Sequence, residues 1–316
     1  MVPFNILVLN QLKENHMAAI QDAAPGSSII TADLATAGQH IANADILVAW
    51  GNQDIRQLYA AAPQLRWVHA LSAGVEDWLF PELVTSSTLL TNSKGIHGIP
   101  ISEHVLALML AFTRGLNLLI PQQRNKQWKR VRVDEIHEKT IGIVGLGNIG
   151  REIAKKAKAL GMHVVATKRE ATTELFVDAL YTPDYLAKML SICDFVVVSL
   201  PLTDETKEMF NLNYFSAMKR TAYFINIARG GVIAEADLIT ALEQQLIQGA
   251  GLDVFAEEPL PDSSPLWNMP NVIITPHLAG LSPSYLDRAI QLFADNLTRF
   301  IDKDQILNIV DKQKGY

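Results

Sequence analysis

The stretch TIGIVGLGNIG, Thr140–Gly150, decides the fold class of this chain. An apolar run leads into Gly145, Gly147 and Gly150, and a helical pattern, REIAKKAKAL, follows directly. A second apolar run, His163–Thr167, then completes a strand–helix–strand unit of the size that dinucleotide-binding units have. The stretch therefore predicts a phosphate-binding turn at the end of a parallel strand.

Each glycine in this turn has its own predicted task. We expect Gly145 to form the tight turn, Gly147 to let the backbone approach a pyrophosphate, and Gly150 to let the helix pack closely on the strand. Asn148 and Ile149 lie in the first helical turn, where free N–H groups and the helix dipole favour phosphate. These residues are the first predicted cofactor contacts.

Short apolar runs alternate with helical patterns from one end of the chain to the other, which is typical of parallel sheets covered by helices on both faces. The pattern predicts two α/β sheets. The predicted strands are Asn5–Leu9, Asp45–Ala49, Arg66–Ala70, Thr140–Gly145, His163–Thr167, Asp194–Leu200, Ala222–Ile227, Gly249–Phe255 and Val272–Thr275.

Two long helices are predicted outside this alternation. The segment Ile101–Ile120 is apolar on much more than one face, which favours burial between layers or at a subunit interface. A second helix follows Ser282 and runs to about Asp302.

The composition excludes several classes of protein. The 316 residues carry a net charge of −6 and are 49% hydrophobic, which disfavours nucleic-acid binding, attachment to anionic lipid and intrinsic disorder. The single cysteine, Cys193, excludes an internal disulfide and a paired-cysteine zinc site, and we expect it to be a buried thiol. The eight histidines show no metal-binding spacing, so we expect no metal. The N-terminus does not resemble a signal peptide, and we expect a cytoplasmic protein.

The end of the second strand of the dinucleotide unit indicates which cofactor binds. Thr167, Lys168 and Arg169 stand there, and Lys168 takes the place where an NAD site usually has a carboxylate. Lysine and arginine would pair with a 2′-phosphate that a carboxylate would repel. The sequence thus predicts NADP(H) over NAD(H), with NAD(H) still possible. The alternative is that these are ordinary solvated loop charges.

Three residues that follow predicted strands suit acid–base chemistry. Arg229, Glu258 and His277 should converge because the carboxyl ends of parallel strands share one edge of a sheet. A histidine can protonate a developing alkoxide, a carboxylate can orient that histidine, and an arginine can hold a substrate carboxylate. Each residue alone has an ordinary structural explanation, but their joint placement favours catalysis.

Motifs along most of the chain resemble the D-isomer-specific 2-hydroxyacid dehydrogenase family. Their ordered succession is far more specific than the glycine turn alone. The motifs are LSAGVED from Leu71, GIPISEHVLALML from Gly98, TIGIVGLGNIG from Thr140, DFVVVSLPLTDETKEMF from Asp194, FINIARGGVI from Phe224, GAGLDVFAEEPLP from Gly249 and NVIITPHLAG from Asn271.

The resemblance implies roles for individual residues. Arg229 would bind the substrate's carboxylate and carbonyl, Glu258 would support the histidine, and His277 would be the general acid and base. Glu258 is chosen over Glu257 because the family's acid directly precedes proline. Lys168 departs from the family's common aspartate, which puts NAD use in doubt.

Further binding residues follow from the same resemblance. Asp253 resembles the residue that bonds the nicotinamide amide, and the backbone around Ser72 resembles a loop that grips the substrate carboxylate. The other expected cofactor residues are Leu200, Pro201, Thr206, Ala228 and Gly280. The other expected substrate residues are Trp50, Gly51, Ala73 and Gly74. For His97 and Trp267, contact with substrate stays open.

The family's topology implies a discontinuous first domain. Residues 1–97 and 284–316 would form a flavodoxin-like substrate domain, and residues 98–283 would form a Rossmann cofactor domain inserted into it. Both would be doubly wound parallel sheets. A homodimer joined through the cofactor domain is also implied.

The leading hypothesis is an NADP(H)-preferring reductase of small 2-keto acids, of the glyoxylate/hydroxypyruvate kind. One alternative is a phosphoglycerate dehydrogenase that lacks a regulatory domain. A formate dehydrogenase is disfavoured by Glu258, because that branch has glutamine there. The alternative from another class is a corepressor scaffold that binds the cofactor and recognises partner peptides.

Overall fold

The computed structural model describes residues 3–170 and 173–313. By the contacts between its described residues, the chain divides into two compact units. One unit contains the residues up to Ile96 together with those from Ser282 onward, and the other contains His97–Leu281. The chain thus leaves the first unit and returns to it.

The first unit contains a parallel sheet. Its described strands are β1 Asn5–Val8, β2 Ser28–Thr31, β3 Ile46–Ala49, β4 Trp67–Ala70 and β5 Leu89–Asn92. Their order is β2-β1-β3-β4-β5, the flavodoxin-like arrangement. Every residue of β3 and β4 is buried, as expected for central strands that are covered on both faces.

The second unit contains a larger parallel sheet. Its described strands are β6 Thr140–Val144, β7 His163–Thr167, β8 Ala179–Tyr181, β9 Phe195–Val198, β10 Tyr223–Asn226, β11 Gly249–Leu252 and β12 Val272–Ile274. Their order is β12-β11-β10-β9-β6-β7-β8, in which the direction of winding reverses beside β6. This is the Rossmann order with one added edge strand, and the two sheets confirm the predicted fold class.

Helices cover both sheets. The described α-helices are α1 Glu14–Ala23, α2 Arg56–Ala60, α3 Pro81–Val84, α4 Gly98–Thr113, α5 Leu116–Arg124, α6 Asn148–Ala159, α7 Leu186–Leu190, α8 Leu212–Ala217, α9 Glu235–Glu243 and α10 Tyr285–Asp302. The buried residues of α6 are Gly150, Ile153, Ala154 and Ala157, which fall on one face at helical spacing. This face fixes the position of the glycine turn that precedes the helix.

The predicted single helix Ile101–Ile120 is wrong, because the chain forms α4 and α5 there instead. Gly115 has a φ of 67° and separates the two helices, which are bent by 68°. Glycine adopts this left-handed conformation at no steric cost and so ends a helix. Among the described residues no single helix is long and apolar enough to cross a membrane, although α4 and α5 together pass that test as a bent pair.

Within the single chain, the burial expected for this segment is found on α4 and not on α5, and the alternative of a subunit interface stays a prediction. On α4, Val105, Leu108 and Met109 are buried. On α5 no described residue is buried, and Leu116, Leu118 and Ile120 are each between 42% and 50% exposed. An apolar composition did not distinguish the covered helix from the uncovered one.

The sequence missed three strands, β2, β5 and β8. Residues of β2 and β8 are largely half-buried, which fits their positions at the edges of the two sheets. Two predicted strands are shorter than expected: β9 ends at Val198 rather than at Leu200, and β11 ends at Leu252 rather than at Phe255. The residues that follow them are loops, and these loops carry the candidate site.

Cys193 is buried, as predicted. Its thiol donates a hydrogen bond to the carbonyl oxygen of Met189 at 3.0 Å. Burial raises the pKa of this thiol to about 12, because the charged thiolate is disfavoured away from water. The cytoplasmic location stays a prediction.

Candidate functional site

The loops that follow the strands of the larger sheet lie along one edge, because all its strands are parallel. This edge is where ligands bind in open α/β sheets. It carries Gly145 after β6, Lys168 after β7, Leu200 after β9, Arg229 after β10, Asp253 after β11 and His277 after β12.

The glycine turn is tied to the strands on both sides of it. Gly145 has a φ of 98°, a conformation that favours glycine. Its N–H donates to Thr167 Oγ1 at 3.1 Å, and its carbonyl oxygen accepts from Ser199 Oγ at 2.6 Å. Thr167 therefore holds the turn with its side chain, a role that the sequence did not reveal.

The two other glycines of the turn differ in what surrounds them. A Cβ on Gly150 would lie 2.5 Å from the carbonyl oxygen of Gly145, so the helix can approach the turn only without a side chain there. A Cβ on Gly147 would meet no atom within 4 Å. Gly147 precedes α6, whose first N–H groups have no helical partners. An open space at a helix N-terminus fits the pyrophosphate of a dinucleotide.

The cations after β7 have acidic partners. Lys168 Nζ donates to Glu174 Oε1 at 2.7 Å, and Arg151 on α6 binds the same carboxylate through two nitrogens. Arg169 pairs with Glu205, and both of these side chains are about three-quarters exposed. The predicted cofactor cations thus lie at the expected strand end, each in an ion pair.

A buried carboxylate, Asp253, organises the loop that carries His277. It accepts hydrogen bonds from Thr275 Oγ1 at 2.6 Å, from the Leu278 N–H at 3.0 Å and from the Ala279 N–H at 2.9 Å. The His277 N–H donates to the carbonyl oxygen of Asp253 at 2.9 Å. These bonds fix the loop after β12 to the end of β11.

His277 and Glu258 are in direct contact. His277 Nδ1 lies 2.7 Å from Glu258 Oε2, while Glu258 Oε1 accepts the Phe255 N–H at 2.9 Å. Burial alone would raise the pKa of Glu258, but the hydrogen bonds from His277 and Phe255, with the nearby charge of Arg229, hold it below its ordinary value. Glu258 is therefore ionised and oriented towards the imidazole. Its neighbour Glu257 makes no such contact with His277 in the described structure.

The backbone of His277 is in the left-handed region, with a φ of 50°. This conformation is uncommon for residues other than glycine and is found where the surrounding structure enforces it. Here the hydrogen bonds to Asp253 enforce it. The side chain is 51% exposed, so its imidazole is open to a substrate.

Arg229 is exposed at the end of β10 and is placed by a buried amide. Asn226, which is fully buried, accepts from the Ala228 N–H at 3.0 Å and donates to the carbonyl oxygen of Arg229 at 3.2 Å. The pKa of His97 is lowered chiefly by burial and also by the charge of Arg229.

The expected substrate residues of the first unit form a local group of their own. Ser72 Oγ donates to the carbonyl oxygen of Gly74 at 2.7 Å and accepts the Gly51 N–H at 3.0 Å. The carbonyl oxygen of Ala73 accepts from Asn92 Nδ2 at 2.7 Å. Trp50 stacks on Tyr285 with ring centroids 5.5 Å apart. The loop after β4 therefore has a fixed shape.

The remaining expected residues have mostly structural contacts. Thr206 Oγ1 donates to the carbonyl oxygen of Pro201 at 2.6 Å and so shapes the loop that begins at Leu200. The indole of Trp267 donates to Pro261 and is half exposed. A Cβ on Gly280 would lie 3.1 Å from His97. Among the described residues no group of three or more His, Cys, Asp or Glu side chains is placed to hold a metal ion.

Sequence reasoning missed three residues of this site: Arg151, Glu174 and Asn226. Arg151 directly follows the last glycine of the turn, and Asn226 lies in a motif that was used only for its arginine. Their places beside known motifs could therefore have indicated both residues. No motif indicated Glu174, because its carboxylate bridges Lys168, six residues away, and Arg151, 23 residues away, and only the fold brings these residues together.

The contrast between Gly150 and Gly147 predicts two different effects on stability. Gly150→Ala should lower the free energy of unfolding by about 1–3 kcal/mol, since its Cβ would overlap a backbone oxygen that cannot move freely. Gly147→Ala should change it by less than about 0.5 kcal/mol, since its Cβ would enter open space. Urea denaturation without ligand measures both. Equal losses would contradict the packing described for this turn.

Comparisons with known proteins identify the family of the chain. A family model described as D-isomer specific 2-hydroxyacid dehydrogenase, NAD binding domain, matches residues 106–279. The glyoxylate reductase of Korarchaeum cryptofilum is 32% identical over 286 residues, which cover 87% of this chain and 85% of that protein.

Solved structures are similar over nearly the whole chain. A D-isomer specific 2-hydroxyacid dehydrogenase family protein from Aeromonas salmonicida is 35% identical with a TM-score of 0.87, covering 98% of this chain and 100% of its own. The NADPH-dependent glyoxylate/hydroxypyruvate reductase of Sinorhizobium meliloti, solved with NADP and sulfate, is 30% identical with a TM-score of 0.81, covering 99% and 100%. These similarities show that the chain belongs to the D-isomer specific 2-hydroxyacid dehydrogenase family and is an NAD(P)-dependent dehydrogenase.

Proposed function

We propose that this enzyme reduces a small 2-keto acid, of the glyoxylate or hydroxypyruvate type, to the D-2-hydroxy acid and prefers NADP(H). The observation that carries the proposal is the 2.7 Å contact between His277 Nδ1 and Glu258 Oε2. A carboxylate that holds one imidazole nitrogen leaves the other nitrogen to exchange a proton with substrate.

His277 acts as the general acid in this proposal. Its Nδ1–H donates to Glu258, so Nε2 carries the proton that passes to the carbonyl oxygen of the substrate as that oxygen becomes an alkoxide. The ionised carboxylate of Glu258 stabilises the charged imidazolium before the transfer. In the reverse direction the same nitrogen removes the hydroxyl proton. The nicotinamide, when bound, supplies or accepts the hydride.

Arg229 holds the substrate in this proposal. A guanidinium presents parallel N–H donors that match a carboxylate, and a further N–H can polarise the keto oxygen. Asn226 fixes the backbone of Arg229, which makes the position of the fork reproducible. Trp50, Gly51, Ser72, Ala73 and Gly74 stay candidates for additional substrate contacts.

The preference for NADP(H) rests on charge at the end of β7. Lys168 and Arg169 stand where a 2′-phosphate would bind, and the NADP complex of the Sinorhizobium meliloti relative supports this choice of cofactor. The glycine turn, with Asn148 and Ile149, would hold the pyrophosphate. Other proposed cofactor contacts are Thr167, Leu200, Pro201, Thr206, Ala228, Asp253 and Gly280.

The exposed side of α5 supports a homodimer. Leu116 and Ile120 lie one helical turn apart on the same face, and both are exposed on a helix that has no buried residue. Such a surface is typical of an interface, and a second copy of the chain is its proposed partner. The surface lies in the unit that carries the glycine turn.

Light scattering tests the dimer. The wild type should have twice the chain's mass of 34.9 kDa, and the double variant Leu116→Glu/Ile120→Glu should have the single mass, because buried charges destabilise an apolar interface. Glu14→Lys, on α1 of the other unit, is the control and should stay dimeric. A wild type at the mass of one chain would overturn the proposal.

A cofactor-oxidation screen tests the function itself. Glyoxylate and hydroxypyruvate should be reduced with NADPH at a kcat/KM higher than with NADH, since only NADPH offers the phosphate that Lys168 and Arg169 can bind. Pyruvate, bulkier 2-keto acids and phosphohydroxypyruvate are the comparison substrates. Preference for phosphohydroxypyruvate would favour a phosphoglycerate dehydrogenase. Tight cofactor binding without turnover of any substrate would favour a scaffold.

His277→Asn tests the proton donor. The kcat of the variant should be about 10²–10⁴-fold lower than that of the wild type, because the amide cannot supply the proton. Cofactor affinity, measured by fluorescence titration, should stay near the wild-type value. His163→Asn is the control and should keep the wild-type kcat, because His163 is exposed at the start of β7, at the end of the strand opposite the site. A His277→Asn enzyme with wild-type kcat would refute this assignment.

A further inference from the structure

One carboxylate lies at the centre of the cationic group that follows β7. Glu174 Oε1 accepts from Lys168 Nζ at 2.7 Å and from Arg151 Nη2 at 2.8 Å, and Oε2 accepts from Arg151 Nε at 2.9 Å. Only 9% of the Glu174 side chain is exposed. Glu174 thus binds a lysine and one edge of the Arg151 guanidinium, through Nε and Nη2, at once.

These are the donors that a phosphate would use. An arginine fork and a lysine ammonium bind carboxylate and phosphate oxygens in the same geometry, since both anions present two or more acceptors. The hydrogen bonds from Arg151 and Lys168 lower the pKa of Glu174 to about 2, so its carboxylate keeps its charge throughout the neutral range. A 2′-phosphate at Lys168 would meet this fixed negative charge.

The second ion pair of the region differs in exposure. Arg169 and Glu205 are 76% and 75% exposed, and an exposed pair contributes little because water and salt screen it. The Glu174 group is better shielded, since the side chain of Lys168 is 26% exposed and that of Glu174 is 9% exposed. Of the two carboxylates, Glu174 therefore has the larger effect on any anion that binds beside it.

We propose that Glu174 sets the balance between NADPH and NADH, by competing with the 2′-phosphate for Lys168 and Arg151. This inference rests on the proposed function, because it concerns the same cofactor site. A dinucleotide without the 2′-phosphate leaves the Glu174 pairs intact, whereas one with it must displace the carboxylate or accept its repulsion. Glu174 thereby lowers the preference for NADPH over NADH, which would be stronger if only the cations were present.

Binding of cofactor fragments tests the inference without turnover. Adenosine 2′,5′-bisphosphate carries the discriminating phosphate, and adenosine 5′-monophosphate lacks it. Titration calorimetry should show that Glu174→Gln binds the bisphosphate at least about fivefold more tightly than the wild type, with little change for the monophosphate. Glu205→Gln is the matched control and should change either affinity by less than about twofold.

Two further variants make the test decisive. Glu174→Ala removes the charge and leaves no amide to bond Arg151, so it should increase bisphosphate affinity in the same direction. Lys168→Ala should lower the affinity for the bisphosphate and leave the affinity for the monophosphate unchanged. A thermal melt of each variant establishes that it is folded. If Glu174→Gln and Glu174→Ala both leave bisphosphate affinity unchanged or weaker while Lys168→Ala lowers it, the competition is overturned and the proposed cofactor preference stands.

The opposite result separates the two proposals in the other direction. A wild type that binds both fragments equally, with a Glu174→Gln variant that selects the bisphosphate, would overturn the NADPH preference and support the role of Glu174. In steady-state assays the ratio of kcat/KM for NADPH to that for NADH should rise at least about fivefold in Glu174→Gln, with the change in the KM for NADPH. An equal change for both cofactors would indicate a merely structural role.

Discussion

The candidate site depends on the hydrogen bonds that the carboxylate of Asp253 accepts. Asp253 is 2% exposed, and a buried charge is tolerated only when hydrogen bonds replace the water that it has lost. Thr275, Leu278 and Ala279 supply these bonds, and all three belong to the loop after β12. One side chain therefore defines the path of the segment that carries His277. Without it, the imidazole would have neither a fixed position nor a fixed distance to Glu258.

Parallel strands bring the other contributors to the same edge. Residues far apart in the sequence, such as Gly145 and Arg229, follow strands that run in one direction, so their loops share one side of the sheet. Side chains then tie neighbouring loops together, as Thr167 and Ser199 do on either side of Gly145. The site is thus built by topology first and by hydrogen bonds between loops second.

The sequence predicted this edge well because glycine spacing and apolar runs are local signals. It chose Glu258 over Glu257 from the family pattern, and the structure pairs Glu258 with His277. It failed at Gly115, because one glycine within an apolar run does not reveal whether a helix continues or bends. It also missed β2 and β8, whose half-covered residues give a weaker apolar signal than the central strands do. The partner of Lys168 could not be predicted, since Arg151 and Lys168 meet only through the fold at Glu174.

The left-handed backbone of His277 has a consequence for the evolution of the chain. A residue with a Cβ is disfavoured in that conformation by about 1–2 kcal/mol, while glycine adopts it at no steric cost. Substitutions that favour folding at this position therefore remove the imidazole. With His277 in its proposed role as proton donor, the chain gives up stability for activity at this residue, and selection for thermostability alone would favour variants without the donor.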